Sequence, residues 1–376
     1  MRVLMTGGGT AGHINPALAI AEIIRSKDPN AQIEFVGIRK GKETDLVPRE
    51  GYPLHFVRSM GIKRSLSPSN VKALWMALTS PYAKETVSIL REFRPDLVIG
   101  TGGYACWPIM AAAVRMGIPT AIHESNALPG LAVRRLQRKV DRVWVNFEST
   151  RERLHPKARA IRVGNPLRQD FGALSKDQAR AQLGIPKDRI FVLSFGGSLG
   201  AEPVNRAILQ MMRDFSSKHP SILHLHAAGK RDYEASLATY REMGLEKNPS
   251  CQLVDYIYDM PVQMSAADLI IARAGAMTLS ELAGMNKASI LIPSPTVADN
   301  HQYINAKTLA DAGAASLVEE STLPEGGLTE EAKRLLSSLD SMREMGRKIG
   351  AFADLDPAEI IWNEICDLIP KSKMKK

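Results

Sequence analysis

The chain has 376 residues, of which 44% are apolar and 24% charged, a composition typical of a globular protein with sizeable hydrophobic cores. This length predicts two domains rather than one. No run of about eighteen uncharged apolar residues occurs, which excludes a membrane-spanning helix. The three cysteines (Cys106, Cys251 and Cys366) lie far apart, which argues against a disulfide framework or a cysteine metal site.

The net charge of +9 is divided unevenly along the chain. Residues 1–164 carry 25 lysines and arginines against 13 acidic residues, a balance of +12, whereas the rest carries 24 against 27. This asymmetry indicates an acidic partner for the first half, such as nucleic acid, anionic lipid or a phosphorylated substrate. A solvated basic surface without a partner is the alternative.

In the first half, short β-branched runs alternate with helical periods, which predicts βαβ units and a parallel sheet. The predicted helices include residues 16–26 and 71–93. The predicted strands are residues 2–6, 33–37, 55–58, 97–100, 120–123, 142–145 and 160–163.

The segment Gly164-Asn-Pro-Leu-Arg168 interrupts this pattern, and a polar connector follows it to Pro186. A second series of strands then begins near residue 189, and a final helix is predicted from residue 357 to about 368. The simplest interpretation is an α/β chain with two Rossmann-like parallel sheets joined near residue 165. The later strands are predicted at residues 222–227, 251–254, 269–272, 289–292 and 315–318.

Four glycine-containing loops follow predicted strands, two in each half of the chain. Open α/β sheets bind ligands at the carboxyl ends of their strands, and glycine lets a ligand approach the backbone closely. The four loops together therefore predict a phosphorylated ligand. They cover residues 7–13, 100–104, 196–201 and 272–278.

The first loop leaves two interpretations open. Gly7, Gly9 and Gly12 fit the G-x-G-x-x-G spacing of a dinucleotide site. However, the acid expected about twenty residues later is ambiguous, since Glu34 lies inside the next predicted strand. His13 has no role in that fingerprint, so a loop that requires an imidazole is the alternative.

Seven segments together resemble successive motifs of the MurG family, the N-acetylglucosaminyltransferases that convert lipid I to lipid II in peptidoglycan synthesis. The resemblance covers essentially the whole chain, in order. Two positions depart from the family pattern, because Ala11 replaces a glycine and His301 replaces a glutamine. The segments are Gly8-Gly-Thr-Ala-Gly-His13, Thr101-Gly-Gly-Tyr104, His123-Glu-Ser-Asn126, Gly164-Asn-Pro-Leu-Arg168, Gly196-Gly-Ser-Leu-Gly-Ala201, Ala276-Met-Thr-Leu-Ser-Glu281 and Asp299-Asn-His-Gln-Tyr303.

The resemblance implies a GT-B fold, in which two Rossmann-like parallel-sheet domains face a deep cleft. Residues 1–164, joined by a C-terminal helix over 355–370, would bind lipid I and face the membrane, and residues 165–354 would bind UDP-GlcNAc. The implied reaction moves GlcNAc, with inversion, to the muramyl 4-hydroxyl of undecaprenyl-pyrophosphoryl-MurNAc-pentapeptide. Another GT-B UDP-sugar enzyme, an epimerase or a glycolipid transferase, is the nearest alternative.

His13 and Glu124 are the two candidates for the general base. An imidazole titrates near neutral pH, which suits deprotonation of a hydroxyl. Glu124 follows a predicted strand end at the same edge of the sheet. The alternative for His13 is a contact to phosphate or backbone, and for Glu124 it is a buried structural carboxylate.

The remaining site residues follow from the resemblance. It implies that Asn126 contacts the donor sugar, that Arg168 and Ser198 meet the diphosphate, and that the backbone of Ile257 reads uracil. Glu281 would accept hydrogen bonds from the ribose diol. The other implied substrate-binding residues are Thr10, Ala11, Gly12, Ala276, Met277, Thr278, Leu279, Ser280 and the sugar-binding Gln302.

No metal or other cofactor is expected. Asp354 and Asp356 are spaced like a metal-binding pair, but they directly precede Pro357, where acids cap a helix. His224 and His226 lie on one face of a predicted strand, which is more typical of packing. Helix dipoles, backbone amides and Arg168 would then meet the charge of the leaving group.

A candidate membrane surface lies in the basic half. Apolar residues with a basic rim are what peripheral binding to an anionic membrane needs, and a core-facing stripe is the alternative. The resemblance implies a peripheral protein on the cytoplasmic face of the bacterial inner membrane. Its expected partners are UDP-GlcNAc, lipid I and other cell-wall synthesis proteins, without nucleic acid. The acceptor or membrane candidates are Leu74, Trp75, Leu78, Tyr82, Tyr104 and Trp107, with Lys63, Arg64 and Lys72 as the basic rim.

Overall fold

The structure is a computed structural model that describes residues 1–9, 11–59, 75, 79–168, 170–197, 199–297, 300–353 and 355–369. The chain divides into two compact units. The first consists of Met1–Arg168 and Leu355–Lys376, and the second of Gln169–Asp354. None of the described helices is long and apolar enough to cross a membrane.

The first unit is built on a seven-stranded parallel sheet with the order β3-β2-β1-β4-β5-β6-β7. Its strands are β1 (Arg2–Thr6), β2 (Gln32–Gly37), β3 (Leu54–Phe56), β4 (Leu97–Gly100), β5 (Thr120–Glu124), β6 (Arg142–Val145) and β7 (Ala160–Arg162). Its described helices are α1 (Ala11–Lys27), α2 (Glu43–Arg49), α3 (Lys84–Phe93), α4 (Trp107–Arg115), α5 (Leu131–Leu136) and α6 (Glu148–Glu152).

The second unit is built on a six-stranded parallel sheet with the order β10-β9-β8-β11-β12-β13. Its strands are β8 (Ile190–Phe195), β9 (Ile222–Ala227), β10 (Cys251–Val254), β11 (Leu269–Ala272), β12 (Ser289–Leu291) and β13 (Ser316–Leu317). The described helices that follow are α7 (Lys176–Leu183), α8 (Glu202–Asp214), α9 (Tyr233–Glu242), α10 (Met260–Ala266), α11 (Ala276–Gly284), α12 (His301–Asp311), α13 (Gly327–Leu336) and α14 (Leu339–Gly350); α15 (Pro357–Leu368) belongs to the first unit.

The two parallel sheets confirm the predicted α/β class with two Rossmann-like units. The prediction of one continuous helix over residues 71–93 is wrong. A 3-10 turn occupies Ser80–Tyr82, and Ala83 is extended with φ −60° and ψ 142° before α3 begins. Pro81 explains the interruption, because proline lacks the N–H that a helix interior uses.

The core of the first unit covers both faces of its sheet. Val3 and Met5 on β1 belong to one apolar cluster, and Leu4 between them belongs to the other, as the two-residue period of a strand requires. Helix α15 returns to this unit and places Ile361 and Ile365, both without exposed surface, in the same cluster as Val3.

The four glycine loops lie at the two points where the strand order reverses. In the first sheet β1 pairs with both β2 and β4, so the loops after β1 and β4 are neighbours. In the second sheet β8 pairs with both β9 and β11, so the loops after β8 and β11 are neighbours. Open α/β sheets bind ligands at such switch points.

Candidate functional site

The two glycine loops of the first unit pack directly against each other. Gly102 and Gly103 have φ of +95° and +75°, a backbone region that favours glycine. A Cβ atom on Gly103 would lie 2.2 Å from the carbonyl oxygen of Gly8. A Cβ atom on Gly7 would lie 2.0 Å from Oγ1 of Thr101. The glycines are therefore required for this close packing, whatever ligand the loops hold.

His13 lies in the first turn of α1, which begins at Ala11 rather than at the predicted residue 16. Its Nδ1 is 3.1 Å from the carbonyl oxygen of Thr101, and Thr101 Oγ1 donates back to the His13 carbonyl at 2.6 Å. Because a carbonyl oxygen only accepts, Nδ1 carries the ring proton, and the neutral imidazole has its lone pair on Nε2. That tautomer can accept a proton at Nε2.

Glu124 ends β5 and has only 4% of its surface exposed. Its Oε1 accepts from the backbone N–H and the side-chain Nδ2 of Asn126, both at 3.0 Å, and its Oε2 accepts from the Gly130 N–H at 2.6 Å. Burial raises the pKa of the Glu124 carboxyl, while these hydrogen bonds act in the opposite direction. The carboxylate thus holds the side-chain amide of Asn126 in one orientation.

Glu43 is an organising residue of this site that the motifs do not reveal. Its side chain is fully buried, Oε2 accepts from the Gly9 N–H at 3.0 Å, and Oε1 accepts from the Ile38 N–H at 2.9 Å. The carboxylate also fills the space in which Cβ atoms of Gly37 and Gly41 would stand. The two glycines that closely precede this acid in the sequence are the signal that could have indicated it.

Two further candidates of the first unit have contacts inside that unit. Arg168 Nη1 donates to Glu50 Oε1 at 2.9 Å, and both side chains are about two-fifths exposed. His123, next to Glu124, is fully buried with Nε2 3.0 Å from the Gly164 carbonyl oxygen. Burial lowers the pKa of His123 to about 4, so its imidazole is neutral near pH 7.

The acceptor and membrane candidates differ in exposure. Trp75 and Tyr82 have 65% and 67% of their surface exposed, and the Arg115 guanidinium lies 4.0 Å from the centre of the Tyr82 ring. Tyr104 is 38% exposed, with its ring beside Gly9. Trp107 starts α4 and packs, partly buried, against the core.

In the second unit the loop after β8 is in close contact with the turn after β9. Gly200 has φ +93° and Gly229 has φ +84°. A Cβ atom on Gly229 would lie 2.0 Å from the Gly200 nitrogen, and one on Gly200 would lie 2.2 Å from the Ala228 carbonyl oxygen. Only glycine at both positions allows the two backbones to approach this closely.

Helix α11 begins directly after this switch point. Its N-cap is Gly275, and in the residues described around it neither a side-chain cap nor a first-turn acid is present. The N–H groups of a helix start attract anions. Glu281 lies one turn further along the helix, where burial raises its pKa to about 7 and the charge of Asp170 acts in the same direction.

The predicted uracil and sugar contacts lie on other strand ends of this unit. Ile257, three residues after β10, buries its side chain in the core, and within the described part of the chain no hydrogen bond engages its backbone. Gln302 lies in the first turn of α12, where its Oε1 accepts from the Ser294 N–H at 2.9 Å. His301 starts that helix.

Asp356, one of the two acids considered for a metal, caps a helix instead. Asp356 Oδ1 accepts from the N–H groups of Ala358 and Glu359, both at 3.1 Å, as the N-cap of α15. Several candidates, and the side chain of Ala11, lie outside what the structure describes. These are Thr10, Leu74, Leu78, Ser198, Asp354, Asp299 and the basic residues Lys63, Arg64 and Lys72.

The chain is similar to known proteins along its whole length. It matches the Glycosyltransferase family 28 N-terminal domain over residues 3–145 and the C-terminal domain of that family over residues 190–358. The UDP-N-acetylglucosamine--N-acetylmuramyl-(pentapeptide) pyrophosphoryl-undecaprenol N-acetylglucosamine transferase of Acetivibrio thermocellus is 39% identical to it, covering 98% of each protein. The transferase of the same name from Thermoanaerobacter sp. is 40% identical, covering 97% of this chain and 99% of its own length.

Solved structures give the same architecture. A crystal structure of Acinetobacter baumannii MurG aligns with a TM-score of 0.73 at 28% identity and covers 99% of both chains. The UDP-GlcNAc 2-epimerase of Neisseria meningitidis, bound to UDP-GlcNAc, aligns with a TM-score of 0.66 at 13% identity. An identity of 13% shows a shared fold alone.

Proposed function

Because the chain belongs to the MurG family of UDP-N-acetylglucosamine--N-acetylmuramyl-(pentapeptide) pyrophosphoryl-undecaprenol N-acetylglucosamine transferases, we propose that it moves GlcNAc from UDP-GlcNAc to lipid I. The product is lipid II, a precursor of peptidoglycan. The observation that carries the proposal is the 39–40% identity over 97–98% of the chain, since both units then have counterparts in these transferases.

His13 is the general base in this proposal. Its Nε2 takes the proton of the muramyl 4-hydroxyl while that oxygen attacks the anomeric carbon of GlcNAc. The bond from this carbon to the UDP oxygen breaks, UDP leaves with the electron pair, and the configuration inverts. The Thr101 carbonyl supports the role, since the hydrogen bond it accepts keeps the proton on Nδ1 and stabilises the imidazolium that forms.

Glu124 is a positioning residue in this proposal rather than a base. Both of its oxygens already accept hydrogen bonds, and a proton added to either oxygen would compete with the N–H donor or donors at that oxygen. Its bond to Asn126 Nδ2 presents that amide in one orientation, which suits recognition of a sugar hydroxyl. In this proposal Asn126 contacts the GlcNAc of the donor, and the first unit binds lipid I.

UDP-GlcNAc binds to the second unit in this proposal. The N-terminus of α11 faces the anionic diphosphate, Glu281 accepts hydrogen bonds from the ribose diol, and the backbone of Ile257 reads uracil. Gln302 contacts the transferred sugar. Arg168 supplies a cation for the diphosphate, in exchange for its exposed ion pair with Glu50, a pair that costs little to break.

A membrane surface on the first unit completes the proposal. Trp75 and Tyr82 are exposed aromatic residues in a half of the chain with an excess of positive charge, and Arg115 lies against Tyr82. Such a surface binds anionic headgroups and places the protein at the membrane that holds the lipid acceptor.

Vesicle sedimentation tests the surface. Trp75→Ser should lower binding to phosphatidylglycerol-containing vesicles several-fold, and added salt should lower it further. Leu339→Ser is the matched control, because Leu339 is similarly exposed, at 47%, on the second unit. Equal binding of the wild-type protein to vesicles of phosphatidylcholine alone would contradict an anionic membrane partner.

Transfer of radiolabelled GlcNAc from UDP-GlcNAc to a soluble lipid I analogue tests the reaction. The expected result is a labelled disaccharide lipid, formed equally well in EDTA. Loss of transfer in EDTA would overturn metal independence but keep the reaction. Conversion of UDP-GlcNAc to its 2-epimer, without transfer, would replace the proposal with an epimerase.

A further inference from the structure

A line of buried polar side chains runs through the second unit. Ser216 Oγ is 3.0 Å from His224 Nδ1, and His224 Nε2 is 2.9 Å from Ser194 Oγ. Ser194 Oγ is also 2.9 Å from His226 Nδ1, and His226 Nε2 is 3.1 Å from Asn205 Oδ1. None of the five has more than 2% of its surface exposed. The proposed function uses none of them.

The far end of this line determines the direction of every hydrogen bond in it. Asn205 Nδ2 donates to the Ala228 carbonyl at 2.9 Å, so its Oδ1 faces His226 and accepts from Nε2–H. His226 Nδ1 then accepts from the Ser194 hydroxyl, whose oxygen accepts from His224 Nε2–H. The main-chain oxygen of Ser194, also 3.1 Å from His226 Nδ1, is then only a neighbour.

Both histidines are neutral in this arrangement, each with its proton on Nε2. Burial lowers the pKa of His224 to about 3 and that of His226 to about 4. Each side chain in the line therefore has a partner without any charge, which makes the network rigid rather than costly.

The line ends at a turn that contacts two segments of the UDP site. On one side, the Ala228–Gly229 turn packs against Gly200 in the loop after β8, at distances that exclude any Cβ atom. On the other side, Ala228 N–H donates to the Val254 carbonyl and Gly229 N–H to the Asp255 carbonyl, both at 3.0 Å. These two residues lead directly to Ile257.

We propose that the side chains from Ser216 to Asn205 form a positioning network, which fixes the Ala228–Gly229 turn and thereby the backbone segments that hold the diphosphate and the uracil. The inference rests on the proposed binding of UDP-GlcNAc to the second unit. Asn205 then connects the buried network to the nucleotide site, because its side chain donates to the Ala228 carbonyl.

Calorimetric titration with UDP, together with steady-state kinetics on the full chain, tests the network. Asn205→Ala and Ser194→Ala should each weaken UDP binding about tenfold, because the turn that positions both backbone segments is then no longer held in place. The KM for UDP-GlcNAc should rise with it, while the KM for the lipid I analogue stays unchanged. The double variant should be no worse than the single ones, because both break the same line.

Tyr240→Phe is the matched control. Tyr240 also uses a buried side-chain donor on a carbonyl, that of Cys251 at 2.6 Å, but this carbonyl is at the amino end of β10. The control should lower stability without changing UDP affinity. Should Asn205→Ala fail to fold, Ser216→Ala at the opposite end of the line removes only one donor and should weaken UDP binding roughly two- to threefold. Unchanged affinity in all folded variants, or an equal loss in Tyr240→Phe, would overturn the network.

Long-range ¹⁵N–¹H spectra of histidine-labelled protein give an independent answer. Both buried histidines should appear as neutral Nε2–H tautomers at pH 7, and His226 should change in Asn205→Ala. An Nδ1–H tautomer for His226 would overturn the proposed direction. Failure of the wild-type protein to bind UDP would instead contradict the proposed function, and the tautomers would still report on the network.

Discussion

At the residue scale, the two candidate bases differ in what their contacts do. Glu124 accepts hydrogen bonds at both oxygens from its own loop, whereas the contact of His13 Nδ1 to the Thr101 carbonyl fixes the neutral tautomer with the basic nitrogen at Nε2. A general base needs an atom that can take a proton in its resting protonation state. The tautomer of His13 is the observation that favours His13 in the proposal.

Replacing His13 with alanine should lower kcat by a factor of about 10² to 10⁴, the usual contribution of a general base. UDP affinity should be unchanged, because the role proposed for His13 is to take a proton from the acceptor and not to contact the nucleotide. Steady-state kinetics and UDP titration measure both. His219→Ala is the control, because its Nδ1 likewise contacts a backbone carbonyl, that of Phe215 at 2.8 Å. An unchanged kcat in His13→Ala would contradict the base assignment, and a Glu124→Gln variant with a greater kcat loss than His13→Ala would point to Glu124.

The raised pKa of Glu281 makes a second prediction, for stability against pH. An unfolded carboxyl titrates near 4.5 and the folded one near 7, so the folded state holds the extra proton between these values. Stability from Glu281 is fully present below about pH 4.5 and is lost as the pH rises through about 7. The free energy of unfolding of Glu281→Gln, measured in urea, should therefore rise relative to that of the wild-type protein between pH 5 and 8.

The control for this pH effect is Glu242→Gln, because Glu242 is an exposed helix acid of the same unit. Its difference from wild type should stay flat across the same range. If the stability of Glu281→Gln instead falls relative to that of the wild-type protein as the pH rises, the folded state stabilises the carboxylate and the prediction is wrong.

At the element scale, the uncapped start of α11 is suited to a ligand rather than to stability. Gly275 has an ordinary φ of −69°, and among the described residues a Cβ atom there would meet Thr278 Oγ1 alone, at 4.0 Å. A capping side chain would thus fit without strain, yet glycine occupies the position. The dipole of a helix start attracts an anion, and no acid opposes it in the described first turn of α11.

Gly275→Asp tests this trade between stability and binding. The aspartate should cap α11 and raise the free energy of unfolding by about 0.5 kcal/mol. It should also weaken UDP binding about tenfold or more, because its charge repels the diphosphate. Gly275→Ser separates the two effects, since serine caps without charge. Tighter UDP binding in Gly275→Asp would show that the diphosphate lies elsewhere.

At the scale of the whole molecule, the C-terminal helix makes the first unit discontinuous in sequence. The fully buried Ile361 and Ile365 of α15 join strands from the start of the chain in one apolar cluster. Arg142 Nε donates to Glu364 Oε2 at 3.0 Å and adds a polar contact to the same helix. The first unit is therefore complete only when the end of the chain has folded back.

Ile361→Ala should lower the stability of the first unit by about 2–5 kcal/mol, the range for emptying a buried isoleucine site. Hydrogen exchange should then rise in β1 and β4, with little change in β8 and β11. Ile349→Ala, which removes a fully buried isoleucine of the second unit, should produce the reverse pattern. Equal loss of protection in both units after either change would contradict their independence.

Sequence periods alone predict the positions of the strands along the chain well, because a buried parallel strand is a short apolar run that ends at a glycine or a polar turn. Several strands, such as Arg2–Thr6 and Leu269–Ala272, match the prediction to the residue. The long helix predicted over 71–93 is wrong, since an apolar stripe does not reveal that Pro81 stops it. The prediction starts α1 too late, because alanine and glycine at positions 11 and 12 show no apolar period.

The linear sequence by itself determined the α/β class, the family and the positions of the four glycine loops, since each depends on residue types at local spacings. Only the tertiary structure decided which groups are engaged, because hydrogen bonds such as those of Glu43 to Gly9 or Asn205 to Ala228 join residues distant in the chain. No local pattern records those partners. Burial, which changes the pKa of Glu281 and His226, is likewise a property of the packed fold.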